Sequence, residues 1–129
     1  MKLLLDTHVM LWWLTDNPRL GPRTRAVIAE GRAELLVSVA SFWELSIKTR
    51  LGKFASPGSL LFEEARQGGI TVVDVRPHHL VALERIVAKP KHNDPFDHLI
   101  LAQTIAEDAM LVTSDRDLLA YDVRALRAR

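Results

Sequence analysis

Cysteine is absent from the 129 residues. Disulfides, thiolate nucleophiles and sulfur-ligated metals are thereby excluded, and a reducing compartment is accommodated. An excess of one charge is lacking too: 17 Lys and Arg against 16 Asp and Glu leave a formal net charge of +1. A protein that holds a polyanion by bulk charge carries a basic excess. Any nucleic-acid partner must therefore be met by clustered basic residues, with an acidic site drawing down the total. Glycine is sparse, and neither the phosphate-loop nor the dinucleotide fingerprint occurs. No stretch approaches the roughly 18 apolar residues of a membrane-spanning helix. The apolar start Leu3-Leu4-Leu5 is broken by Asp6 and His8, with no small-residue cleavage site after it. A cytoplasmic protein without a membrane partner is expected.

What is present suits a folded globule. Hydrophobic residues make up 48% and charged residues 26%, enough apolar material to exclude disorder. The length fits one domain, residues 1–129, which at this size buries roughly two thirds of its unfolded surface. Leu3 to Leu5 reads as a strand buried on both faces, as in parallel sheets. Further strands are expected over Glu34 to Val39, Ile70 to Val75 and Met110 to Thr113, with a weak one near Val123. Helices are expected over His8 to Leu14, Pro22 to Gly31, Ser41 to Leu51, Ser59 to Gln67, Pro77 to Val87, Pro95 to Ala109 and Asp115 to Tyr121. Proline at the start of several, and glycine after others, marks their ends. Strands alternating with helices predict an α/β domain with a mainly parallel sheet, whose ligands bind beyond the carboxyl ends of the strands.

Four carboxylates gather at that edge in this reading. Asp6 closes the first strand, and Asp115 follows the strand ending at Thr113. Glu44 and Asp97 each fall in the first turn of a helix. Glu44 shares a helical face with Ala40, Ile47 and Leu51, and Asp97 is followed by Ile100, Leu101 and Thr104. A carboxylate turned toward an apolar face is costly unless paired, hydrogen-bonded or bound to a metal. Oxygen-only ligands suit a hard cation, Mg²⁺ or Mn²⁺. Capping is the competing account. Asp94-Pro95-Phe96-Asp97 is a good helix start, Ser41-Phe42-Trp43-Glu44 matches a capping box, and Asp115 or Asp117 can cap the last helix. Asp6 is the acid that capping explains least, and Asp115 and Asp117 compete for the fourth place.

At these residues the chain resembles the PIN-domain nucleases, and among them the VapC-type toxins of toxin–antitoxin pairs. The carriers are Leu4-Leu5-Asp6-Thr7-His8, Ser41-Phe42-Trp43-Glu44-Leu45, His92-Asn93-Asp94-Pro95-Phe96-Asp97 with Leu99-Ile100-Leu101-Ala102-Gln103, and Val112-Thr113-Ser114-Asp115. Their order and spacing, over nearly the whole chain, are more specific than any one of them. The resemblance implies a three-layer α/β/α fold and an endoribonuclease that hydrolyses RNA phosphodiesters with Mg²⁺ or Mn²⁺. It implies catalytic and metal-binding roles for Asp6, Glu44, Asp97 and Asp115, holding one or two ions. Asp94 and Asp117 support them, and Thr7 and Thr113 orient a ligand carboxylate or a water. A homodimer and a cognate antitoxin that covers the acidic pocket are implied as partners. Many relatives carry arginine where this chain has His98.

Lys89, Lys91, His92 and His98 surround the acidic helix start and are the candidate RNA contacts. The histidines, including His78 and His79, show no zinc spacing and read as surface or helix-end residues. Trp12 and Trp13 point in different directions on one helix, one toward the core and one toward a partner. Arg124, Arg127 and Arg129 read as a solvated tail. Two rival readings remain at this point: an Mg-dependent phosphotransfer enzyme with an aspartyl nucleophile, and a receiver-like signalling module.

Overall fold

The computed structural model describes residues 1–129. Five strands, β1 (Lys2–Leu5), β2 (Glu34–Ser38), β3 (Thr71–Val73), β4 (Met110–Thr113) and β5 (Ala125–Arg127), form one sheet in the order β3-β2-β1-β4-β5. Every pairing is parallel, with Leu4 opposite Leu36 on one side and Leu111 on the other. Parallel strands need crossovers, and seven helices supply them: α1 (Thr7–Leu14), α2 (Pro22–Ala29), α3 (Val39–Arg50), α4 (Gly58–Gln67), α5 (Pro77–Glu84), α6 (Pro95–Ala106) and α7 (Arg116–Leu119).

The chain first steps outward from β1 to β2 to β3, then returns across to β4 and β5. Right-handed crossovers therefore place the two sets of helices on opposite faces. Leu3 and Leu5 pack with Val9, Met10 and Trp12 of α1, Ile28 of α2, Phe42 and Leu45 of α3, and Leu61 and Ala65 of α4. Leu4 points the other way and joins Ile100 and Leu101 of α6 and Leu118 of α7. The three successive leucines are fully buried because both faces of the central strand are covered. The expected three-layer α/β/α architecture is the one observed.

Two local details set the position of α3. Its N-cap is Ser38, whose hydroxyl accepts from the Ala40 N–H, so the helix starts at Val39, two residues before Ser41. Gly58 lets α4 lie directly on it: a Cβ there would come 2.8 Å from the Phe42 carbonyl oxygen. The expected strand from Ile70 shortens to three residues. The C-terminus, expected to be a solvated tail, is instead the edge strand β5. Ala128 is fully buried and its carbonyl accepts from Gly21, while the Arg127 carbonyl accepts from the Thr24 hydroxyl.

Candidate active site

The strand order reverses at β1, so a crevice opens between the carboxyl ends of β1 and β4, the usual ligand position in such sheets. Asp6 is the first residue beyond β1. Its N–H still joins the ladder, donating to the Val112 carbonyl. Its side chain caps α1 through the His8 N–H and accepts a short hydrogen bond from the Thr113 hydroxyl at the end of β4. Thr113 Oγ1 in turn accepts from the Asp115 N–H at 3.0 Å. One threonine thus ties Asp6 to the segment that carries Asp115. Asp115 caps α7 through the Asp117 N–H, and Asp117 itself is exposed.

Asp97 arrives from α6. Asp94 caps that helix through the Phe96 and Asp97 N–H groups, and Pro95 presets its first turn. Electrostatics show that the acids converge. Burial raises the Asp6 carboxyl above its ordinary value of 3.8, against the hydrogen bond from Thr113, and the charge of Asp115 adds to the rise. Burial likewise raises Asp97, against its hydrogen bond to His92, with Asp94, Asp115 and Asp6 all adding repulsion. Among the acting groups no lysine or arginine neutralises either acid.

Glu44 stands somewhat apart. Because α3 begins at Val39, Glu44 lies in the second turn rather than the first, and the expected capping box at Ser41 does not form. Ser41 Oγ instead accepts a buried hydrogen bond from Thr7 Oγ1 at 2.8 Å, clamping the start of α1 to α3 one turn before Glu44. Thr7 therefore positions α3, not a ligand carboxylate. Glu44 is partly exposed and pairs with Lys48 at 3.6 Å. Trp43 and Phe96, the residues preceding Glu44 and Asp97 in α3 and α6, meet edge to face at 5.1 Å and bring the two helices together.

Of the candidate RNA contacts, Lys89 and Lys91 are exposed, as expected. His92 is not. Its ring is inserted between Tyr121 and Asp97, so its expectation as a phosphate contact in a solvated loop is corrected. His98 turns back to donate from Nε2 to the His92 carbonyl at 2.8 Å. Sequence reasoning passed over Tyr121 and gave Ser41 only a capping role. The sole tyrosine, 29 residues from its histidine partner, gives no local signal.

One trio of ligand atoms lies within 4.8 Å of one another, and it is elsewhere: His78, His79 and Glu107. Lys2 at the start of β1 also reaches Glu107, placing the trio at the opposite, amino edge of the sheet. His79, expected on the surface, is fully buried. Its Nδ1 accepts from the Arg76 N–H, so the ring proton sits on Nε2 and points at Glu107. A metal-binding imidazole needs the reverse, a free nitrogen toward the ion and an N–H toward an acceptor. This trio is a hydrogen-bonded staple between α5 and the end of α6. A concavity of about 600 Å³ between α5, α6 and the segment after α7 is likewise not the acidic crevice. None of Asp6, Glu44, Asp97 or Asp115 lines it.

The donor set at the carboxyl edge fits a hard divalent cation. It is all oxygen, partly buried, mutually repulsive and short of positive charge. Comparison with known proteins identifies the family. The PIN domain family model matches residues 3–124. Among solved structures the chain is similar to VapBC2 from Rickettsia felis bound to a DNA fragment from its promoter, with 15% identity, 98% of each chain covered and a TM-score of 0.73. It is similar to DNA-bound VapBC from Salmonella typhimurium, with 20% identity, 98% and 97% covered and a TM-score of 0.69. A toxin–antitoxin complex from Klebsiella pneumoniae gives 11% identity, 98% of each chain covered and a TM-score of 0.60. No curated protein matches in sequence. A family model spanning almost the entire chain leaves one conclusion: the chain belongs to the PIN-domain family.

Proposed function

We propose that this protein is a metal-dependent endoribonuclease toxin of the VapC type, acting on RNA phosphodiesters and silenced by a cognate antitoxin. The observation that carries the reading is the convergence of Asp6, Asp97 and Asp115 at the β1–β4 crevice, with burial and mutual repulsion pushing the first two above the ordinary carboxylate range. Asp6 and Asp97 would hold Mg²⁺ or Mn²⁺, Asp115 would complete or orient the set, and Glu44 would join by releasing Lys48. Such an ion polarises a phosphoryl oxygen and activates water near neutral pH. Thr113 fixes Asp6 in place, and the exposed Lys89 and Lys91 are placed to meet the phosphate backbone. The rival receiver-like reading needs an aspartate at the end of the central strand; that strand is β1, which leads into Asp6, so the phosphodonor arm of the test below is what separates the two readings.

The antitoxin partner rests on the family and on the complexes that the structural neighbours form. A homodimer belongs to the same reading. Exposed Leu80, Val81, Val87 and Ile105 supply apolar surface for such contacts. The reading covers the whole of residues 1–129 as one nuclease domain. Its test is incubation of the purified protein with single-stranded RNA and, separately, a small phosphodonor, each with Mn²⁺ or with EDTA. RNA cleavage that needs the ion, without protein phosphorylation, is the expected result. Protein phosphorylation without RNA cleavage would sink it.

A further inference from the structure

His92 is a buried polar group beside the acidic crevice. Its ring is only 10% exposed, yet it lies in the loop just before α6, where backbone and side chains are otherwise open. Both ring nitrogens are used: Nε2 lies 3.0 Å from Asp97 Oδ2, and Nδ1 lies 2.9 Å from the Tyr121 hydroxyl. Hydrogen-bond chemistry orders this chain. An ionised carboxylate only accepts, so Nε2 carries the proton and donates to Asp97; Nδ1 is then an acceptor, and Tyr121 donates to it. Tyr121 is buried, held between Lys89, whose ammonium lies 5.2 Å from the ring centroid, and the His92 ring at 5.5 Å. From the other side His98 donates to the His92 carbonyl and stacks edge-on against its ring at 5.1 Å. The imidazole therefore has one orientation.

We infer that Tyr121 and His92 form a positioning relay that holds the Asp97 carboxylate with Oδ2 engaged and Oδ1 presented to the acidic crevice, setting divalent-cation affinity at this site. The inference rests on the nuclease reading for its consequence in catalysis, but not for its effect on cation binding. The physical need is specific. Asp97 faces the charges of Asp94, Asp115 and Asp6, and an untethered carboxylate would rotate away from them. The His92 N–H opposes that rotation and leaves a single oxygen for the ion. Hydrogen bonds to ligating carboxylates act in this way at metal sites generally. His98, on α6, braces the relay by donating to the His92 carbonyl.

The test uses Mn²⁺ itself as the probe, followed by electron paramagnetic resonance on the full chain without RNA. His92→Ala should weaken Mn²⁺ binding by roughly 10- to 100-fold, as outer-shell partners do. Tyr121→Phe, which removes only the hydroxyl, should weaken it about fivefold, the worth of one ordinary hydrogen bond. His92→Gln retains an N–H donor at the reach of Nε2 and should recover most of the loss. Thermal melting in EDTA separates folding from positioning: a relay moves Mn²⁺ affinity in His92→Ala and restores it in His92→Gln at comparable melting temperatures. On RNA, kcat should fall with Mn²⁺ affinity while KM for RNA stays near wild type. Mn²⁺ affinity unchanged in His92→Ala overturns the relay. So does a His92→Gln protein as weak as His92→Ala. A wild-type protein that binds Mn²⁺ with the expected variant pattern but leaves RNA intact overturns the nuclease reading and keeps the relay. A wild type that does not bind Mn²⁺ overturns both.

Discussion

The two edges of the sheet treat buried acid in opposite ways. At the amino edge Glu107 receives His79 and His78 and lies 3.8 Å from Lys2, and its carboxyl is held below the ordinary value, chiefly by the hydrogen bond from His79. At the carboxyl edge Asp6 and Asp97 face further acids, and burial pushes both above the ordinary value. One site is complete within the chain and has a structural task. The other is left short of positive charge, which is the condition for attracting a cation from outside. A cluster of candidate ligands is therefore informative only with its compensation counted. The trio with the tightest geometry, His78, His79 and Glu107, is the poorer metal site because its protons are already placed.

The sharpest way to break the contrast is Asp6→Asn. Asparagine keeps one acceptor oxygen for the α1 cap and removes the charge, its amide facing Thr113 as a donor. Ion-dependent RNA cleavage should fall by more than about a hundredfold, beyond the loss typical of outer-shell partners. Mn²⁺ at a hundred times its Kd should stabilise the wild type by about 2.7 kcal/mol and leave Asp6→Asn nearly unmoved. Calorimetric melting with and without Mn²⁺ measures this beside the cleavage assay. An equal shift in both proteins would place the cation elsewhere.

Proton linkage separates the edges without any ion. Asp6 and Asp97 have raised pKa values in the fold, so the native state binds protons that the unfolded chain releases. In EDTA, their contribution to stability falls as pH rises from about the ordinary 3.8 through the raised values, and the penalty is full above them. Glu107 runs the other way. Its contribution is present above the ordinary 4.5 and is lost as pH falls through its lowered value. Urea unfolding from pH 3 to 7 should show Glu107→Gln costing about 1 kcal/mol near neutrality and converging on wild type in acid. Asp97→Asn in EDTA should gain stability near neutrality instead. Two variants that change stability with the same sign would remove the distinction between the edges.

The carboxyl edge was legible in the sequence where its signals are local. Asp6 directly follows an apolar triplet, Asp97 follows a proline-bearing helix start, and Asp115 follows a β-rich tetrapeptide, so the sheet topology had only to bring them together. What failed was either a boundary or a long-range contact. Val39 and Ala40 continue the apolar run of β2, so the sequence places the helix start two residues late and Glu44 a turn too early. His92 looked solvated because its neighbours Lys89, Lys91 and Asn93 are, yet Tyr121, 29 residues away, buries it. His79 was misread for the same reason, since Glu107 lies 28 residues on. Polar side chains at loop and helix ends are placed by partners that no window of sequence contains.

Within the acidic edge a finer comparison remains, between Asp115 and Asp117. They are two residues apart and joined by one hydrogen bond, from the Asp117 N–H to Asp115 Oδ1. Asp115 acts on the carboxyls of both Asp6 and Asp97, and its N–H is held by Thr113. Asp117 is exposed, and its charge bears on the Tyr121 hydroxyl rather than on the two buried acids. If electrostatic convergence selects the fourth acid, only Asp115 qualifies. Asp117→Asn, a surface change that leaves the N–H donor intact, should alter ion-dependent cleavage by no more than about twofold, the scale of about 0.5 kcal/mol expected of such positions. Asp115→Asn should lower it well beyond that while still capping α7. Measured side by side under saturating Mn²⁺, a reversed order would move the fourth acid to Asp117 and shift the crevice outward along α7.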